Sequence, residues 1–132
     1  MATIKSYSDL QQSKKLAEIL PLESADMHWQ DASKEYENPY GIYDRYFRLV
    51  AGNSSKIINN KRDFRKGFVL PAWSLSALLG VLPEGYSFVL TKSFNGKDYY
   101  CKLDGKPIET MAYNPVDACY EMIIRLNELK ML

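Results

Sequence analysis

The chain has 132 residues, 46% of them hydrophobic and 25% charged, with a formal net charge of +1, two cysteines and one histidine. That length and apolar content predict one folded domain spanning residues 1–132 and exclude an intrinsically disordered chain, which lacks the apolar surface to offset ordering entropy. Near-neutrality leaves only a weak long-range field to steer nucleic acid, and one histidine with two cysteines falls short of a zinc ligand set.

The N-terminus, MATIKSYSDL, carries no apolar stretch of the secretory kind behind Lys5. The longest apolar run, Leu70 to Pro83, is broken by Ser74 and Ser76 and is too short to cross a bilayer. These features predict a cytoplasmic protein without membrane contact, in which Cys101 and Cys119 stay reduced and buried.

In chain order, Ser8 and Gln11 read as a capping box opening a helix from Asp9 to Leu20, with Leu10, Leu16, Ala17, Ile19 and Leu20 on its apolar side and Pro21 as its stop. Ala25 to Gln30 reads as a short strand. Residues 31–67 are punctuated by turn clusters at Ser33–Asn38, Pro39–Gly41 and Gly52–Ser55, and form an expected insertion or long hairpin that contains a strand over Tyr43–Ala51. Phe68 to Leu70 reads as a brief strand ending at Pro71. Ser74 is an expected N-cap, flanked by a Trp73–Leu78 staple, for a helix from Leu75 to Leu82 that Pro83 ends.

Asn95-Gly96 carries the clearest local signal, because both residue types tolerate the positive φ of a two-residue hairpin turn. Such a turn pairs Lys92 with Tyr99, Leu90 with Cys101 and Phe88 with Leu103 on one face, and Thr91 with Tyr100 and Val89 with Lys102 on the other. Asp104-Gly105 offers a second turn, pairing Cys101 with Ile108 and Tyr100 with Glu109. Both turns give the same apolar face, so a three-stranded antiparallel meander is expected over Tyr86–Met111. Asn114-Pro115 then caps a final helix with Asp117 in its first turn and Lys130 in its last. Val116, Cys119, Tyr120, Ile123 and Leu126 form its apolar face, Met122 and Ile124 flank that face, and Glu121 and Arg125 are spaced for an ion pair. The expected fold class is therefore α+β: an antiparallel sheet including the meander, covered mainly on one face by about three helices.

Charge is concentrated in the middle, where residues 43–70 hold seven basic and two acidic groups. Arg45, Arg48, Lys56, Lys61, Arg62, Arg65 and Lys66 are the candidate nucleic-acid contacts, with Tyr43, Tyr46, Phe47 and Phe64 as rings for base stacking; the competing reading is a solvated loop. Catalytic readings are thinner. His28 lies near Asp26 and Asp31 in sequence, and Cys101 with His28 as its base would make a nucleophile pair, but the meander register turns Cys101 inward, where burial raises a thiol pKa. Glu23 with Asp26, and Asp31 with Glu35, lack the apolar surroundings that general-acid work needs. The loop Gly52–Lys56 lacks the spacing of a phosphate-binding P-loop. No catalytic, cofactor or metal residue is assigned on these grounds.

The segments YSDLQQSKKLAEILPLESADM, LPAWSLSALLGVLP and NPVDACYEMIIRLNELK resemble those of a family of small uncharacterised proteins of gut Bacteroidales and of their phages or mobile elements. The likeness covers the first 27 residues and most of the chain after Leu70, and leaves residues 31–67 outside it. The resemblance implies a shared scaffold, with no site residue to carry over. Together these features predict a non-enzymatic accessory protein of phage or mobile-element type that binds a protein partner. The alternative is a nucleic-acid-binding module using residues 43–67, and a hydrolase built on His28 is a third reading.

Overall fold

The computed structural model describes residues 5–31, 47–51 and 69–132. Its class is α+β, with three α-helices and two three-stranded antiparallel sheets among the described residues. The chain divides into two compact units, one formed by Asp9–Trp73 and the other by Met1–Ser8 with Ser74–Leu132.

The Asp9–Trp73 unit opens with helix α1, Leu10–Ile19. Its N-cap is Asp9 rather than Ser8: the Asp9 carboxylate accepts from the Gln12 backbone N–H at 2.8 Å and the Gln12 side chain accepts from the Asp9 N–H at 3.1 Å. The expected capping box is thus present one residue later. A carboxylate there also favours the positive end of the helix dipole, and Ser8 is instead fully buried. Leu16 and Leu20 are buried, whereas Leu10, Ala17 and Ile19 are half-buried. A single 3-10 turn, Leu22–Ser24, leads into strand β1, Met27–Asp31.

Strand β1 is the centre of the first sheet, flanked by β2, Phe47–Ala51, and β3, Val69–Ala72, in the order β2-β1-β3. His28 lies opposite Val50 and Pro71, and Trp29 opposite Leu49 and Leu70. His28 and Pro71 are buried on one face while Leu70 and Ala72 are buried on the other. Helix α1 packs on β3. The strand expected to stop before Pro71 runs through it. Among the described residues β3 pairs only with β1, and an edge strand tolerates a residue that lacks a ladder N–H. Trp73, fully buried, donates its indole N–H to the Ser24 hydroxyl at 2.9 Å, and that hydroxyl donates onward to the Pro21 carbonyl. Of the expected strand Tyr43–Ala51, residues 47–51 are β2; the rest of the expected insertion or hairpin lies outside the described residues.

The second unit begins with helix α2, Leu75–Gly80, two residues shorter than expected. Ser74 is its N-cap, accepting from the Ala77 N–H at 3.2 Å, and Ser6 supplies a carbonyl to the Leu75 N–H at 3.1 Å. These bonds satisfy donors that a helix start leaves without an intrahelical partner. The meander follows as β4, Phe88–Lys92, β5, Tyr99–Leu103, and β6, Ile108–Ala112. Phe88 pairs with Leu103, Leu90 with Cys101 and Lys92 with Tyr99, the register expected from Asn95-Gly96.

The turns themselves are wider than two residues. Only Gly96, at φ 73°, has positive φ in the first, and the Gly96 N–H bonds the Ser93 carbonyl at 3.0 Å while Ser93 closes onto Asp98 at 2.8 Å. A four-residue loop centred on the same bond leaves the register unchanged. In the second turn, the Lys106 N–H bonds the Leu103 carbonyl at 3.2 Å around Gly105 at φ 81°, and pairing resumes only at Ile108. Cys101 is therefore opposite Thr110 rather than Ile108, and Tyr100 opposite Met111 rather than Glu109. The expected register would have drawn Pro107 into the ladder, where it has no N–H to give. A two-residue shift preserves the faces, because side chains alternate with period two.

Helix α3, Pro115–Glu128, closes the unit. Asn114 is its N-cap, accepting from the Asp117 N–H at 2.8 Å, and Lys5 reaches the Asp117 carboxylate at 2.8 Å. Val116, Ala118, Cys119, Met122, Ile123 and Leu126 are all fully buried, and the helix packs on β5, β6 and α2. Met122, expected on a flank, is thus core, while Tyr120 is only half-buried. Full burial of a side chain of this size contributes about 1.5–3 kcal/mol. Arg125 pairs with Glu128 at 3.8 Å rather than with Glu121. The helix ends with Lys130 at φ 58° and a bond from the Met131 N–H to the Leu126 carbonyl at 2.9 Å, a Schellman ending in which a lysine takes the position usual for glycine.

Candidate functional site

The meander separates its residues into two chemically different faces. Cys101 and Leu103 on the inner face are fully buried beneath α3. The outer face carries Val89, Thr91, Tyr100, Lys102, Glu109 and Met111, placed there by alternation along three paired strands.

Two cations on this side of the sheet each lie over an aromatic ring. The Lys102 ammonium sits 5.7 Å from the Tyr100 ring centre and 3.5 Å from the Glu109 carboxylate, so one charge is shared between a π-face and an acid. Lys106, on the β5–β6 turn, sits 5.1 Å from the ring of Tyr86. Between them runs a shallow groove of about 560 Å³, lined among others by Val89, Thr91, Lys102, Lys106 and Glu109. Val89 and Met111 keep 40% and 55% of their surface in water beside it. Such a surface offers apolar contact, hydrogen-bonding and both signs of charge.

The candidates singled out from the sequence fall elsewhere. Arg48 is in β2 opposite Gln30, and Arg45, Lys56, Lys61, Arg62, Arg65 and Lys66 lie outside the described residues. His28, a strand residue of the first unit, is 1% exposed. Cys101 has no exposed surface, and its thiol and that of Cys119 are close enough to perturb each other's ionisation. Cys119 is pushed far above the ordinary thiol range, chiefly by its interaction with Cys101, then by burial and by the charge a Cys101 thiolate would place beside it. Cys101 is held lower by its interaction with Cys119, against the effect of burial. No group of His, Cys, Asp and Glu among the described residues is arranged to hold a metal ion, and no helix among them is long and apolar enough to cross a membrane.

Sequence reasoning missed the two lysine–aromatic pairs. The signal for the first was the i,i+2 spacing of Tyr100 and Lys102 on one strand face, while Pro107, treated as a loop residue, moves the second hairpin by two positions and sets Lys102 opposite Glu109. The Lys106–Tyr86 contact had no local signal, since it spans the whole β4–β5 hairpin. No family model, curated protein or solved structure matches this chain.

Proposed function

We propose that the chain is a non-enzymatic interaction protein, of the accessory kind carried by phages or mobile elements, that binds a protein partner through the outer face of its meander. The observation that carries this reading is the set of exposed large apolar side chains on the outer face of the meander and in the segments that adjoin its strands. Val89 and Met111 are on the face itself, while Tyr86, the fully exposed Phe94 and Tyr113, 83% exposed, are in the adjoining turns. Scattered exposed apolar residues are ordinary on soluble proteins, whereas contiguous ones rimmed by polar groups mark contact surfaces. Tyrosine and methionine are also side chains that protein interfaces favour.

The test is affinity capture from cells of the native host with the unaltered chain and with a Val89→Glu/Met111→Glu variant, each with and without nuclease. The reading requires a bound protein that survives nuclease and is lost from the variant. Capture that the two substitutions leave intact removes the assignment to this face. Capture that vanishes with nuclease transfers the function to the basic segment 43–67, where the charge concentration supports the nucleic-acid reading.

A further inference from the structure

The outer face leaves one reactive pair unused. The chain has two cysteines, and the fold sets them against each other. Cys101 points inward from the middle of β5 and Cys119 lies on the buried side of α3; both are free thiols without exposed surface. Their proximity is fixed from a neighbouring position. Thr110 is the cross-strand partner of Cys101, and its hydroxyl donates to the carbonyl of Ala118 at 2.7 Å. The residue preceding Cys119 is therefore anchored to the strand position beside Cys101. Two aliphatic side chains would fill this space equally well, so what the two sulfurs add is redox chemistry.

We propose that Cys101 and Cys119 form a two-electron redox site, which a peroxide converts to an intramolecular disulfide tying α3 to the central strand of the meander and a dithiol reductant reopens. The Cys101 thiolate attacks the O–O bond of the peroxide: one oxygen becomes the Cys101 sulfenic acid and the other leaves as water. The Cys119 sulfur then attacks the sulfenic sulfur, the S–S bond forms, and the hydroxyl leaves as a second water with the Cys119 proton. One dithiol and one hydrogen peroxide give one disulfide and two waters, with two electrons passing from sulfur to oxygen. A small oxidant suits a buried pair, because a bulky disulfide reagent would need the helix to open. Joining residues 101 and 119 also restricts the unfolded chain, so the oxidised form melts at a higher temperature. This site is separate from the proposed contact face and stands without it.

The folded full-length chain is treated with hydrogen peroxide, quenched, unfolded in an alkylating reagent and read by intact mass and peptide mapping. The expected product is lighter by two hydrogens, takes up no alkyl group, yields a cross-linked peptide containing both cysteines, and melts higher until dithiothreitol restores the starting value. Cys101→Ser and Cys119→Ser show neither the bridge nor the rise, and Cys101→Ala and Cys119→Ala serve the same purpose should a serine prevent folding. The proposal is overturned if the folded chain keeps both thiols alkylatable under conditions that oxidise the unfolded chain. It is equally overturned if one cysteine goes to sulfinic or sulfonic acid without a bridge, or if the only disulfide joins two chains.

Discussion

The two sheets have the same number of strands and the same antiparallel sense, but their described strands are joined over very different lengths of chain. In the meander, β4 meets β5 across residues 93–98 and β5 meets β6 across residues 104–107. In the first sheet, the described strands β1, β2 and β3 are separated in sequence by residues 32–46 and 52–68. A hairpin loses little loop-closure entropy and has its register set by the turn, whereas a distant pairing must be repaid by what it buries. Strand β3 of the first sheet is buried on both faces, whereas the meander is buried on one and leaves the other in water.

The largest expected effect tests whether the inner face of the meander is core. Leu103→Ala removes a side chain that is 1% exposed and should cost about 2–5 kcal/mol in urea denaturation; a loss below about 1 kcal/mol would mean the site collapses and the sheet is not anchored there. In the first unit, Ser24→Ala deprives the buried Trp73 indole of its Ser24 acceptor and should cost about 1–3 kcal/mol by the same measurement. A neutral result would show that apolar burial alone holds Trp73. Asn114→Ala removes the cap of α3 and is expected to cost about 1 kcal/mol, with Asn114→Asp retaining most of it.

The turns sharpen the comparison. A Cβ at Gly96 would meet only the flexible end of Lys92 at 3.7 Å, and one at Gly105 nothing within 4 Å, so alanine at either position is penalised by conformation alone. Each should cost about 1 kcal/mol, and equal costs would identify positive φ, rather than packing, as what both turns need. The smallest effect has the opposite sign: Lys130→Gly relieves a lysine at φ 58° and should raise stability by about 0.5–1 kcal/mol. An unchanged melting temperature there would mean that the end of α3 frays in solution.

What could be read from the residues follows the same division. Asn95-Gly96 fixed the pairing of Phe88 with Leu103 although the turn it forms is wider than two residues, because a loop centred on the same bond gives the same register. Asp104-Gly105, read as a two-residue turn, misplaced the second hairpin by two residues and left its faces intact. Asp9 took the capping role from Ser8 because both can accept a backbone N–H and only the carboxylate adds charge at the dipole's positive end. The contact surface was half legible: alternation put Val89 and Lys102 outward, but Met111 and Glu109 reached their places opposite Tyr100 and Lys102 only through the true register.

The sequence by itself determined the α+β class, the three helices with their polar starts, and which side of each meander strand is apolar. These follow from interactions within a few residues, where backbone geometry leaves few alternatives. Only the tertiary structure decided that β1 lies between β2 and β3, that Met122 is core and Tyr120 is not, and that Cys101 meets Cys119. A helical or strand period gives the direction a side chain takes, and what it meets there depends on a second element whose position no local pattern encodes.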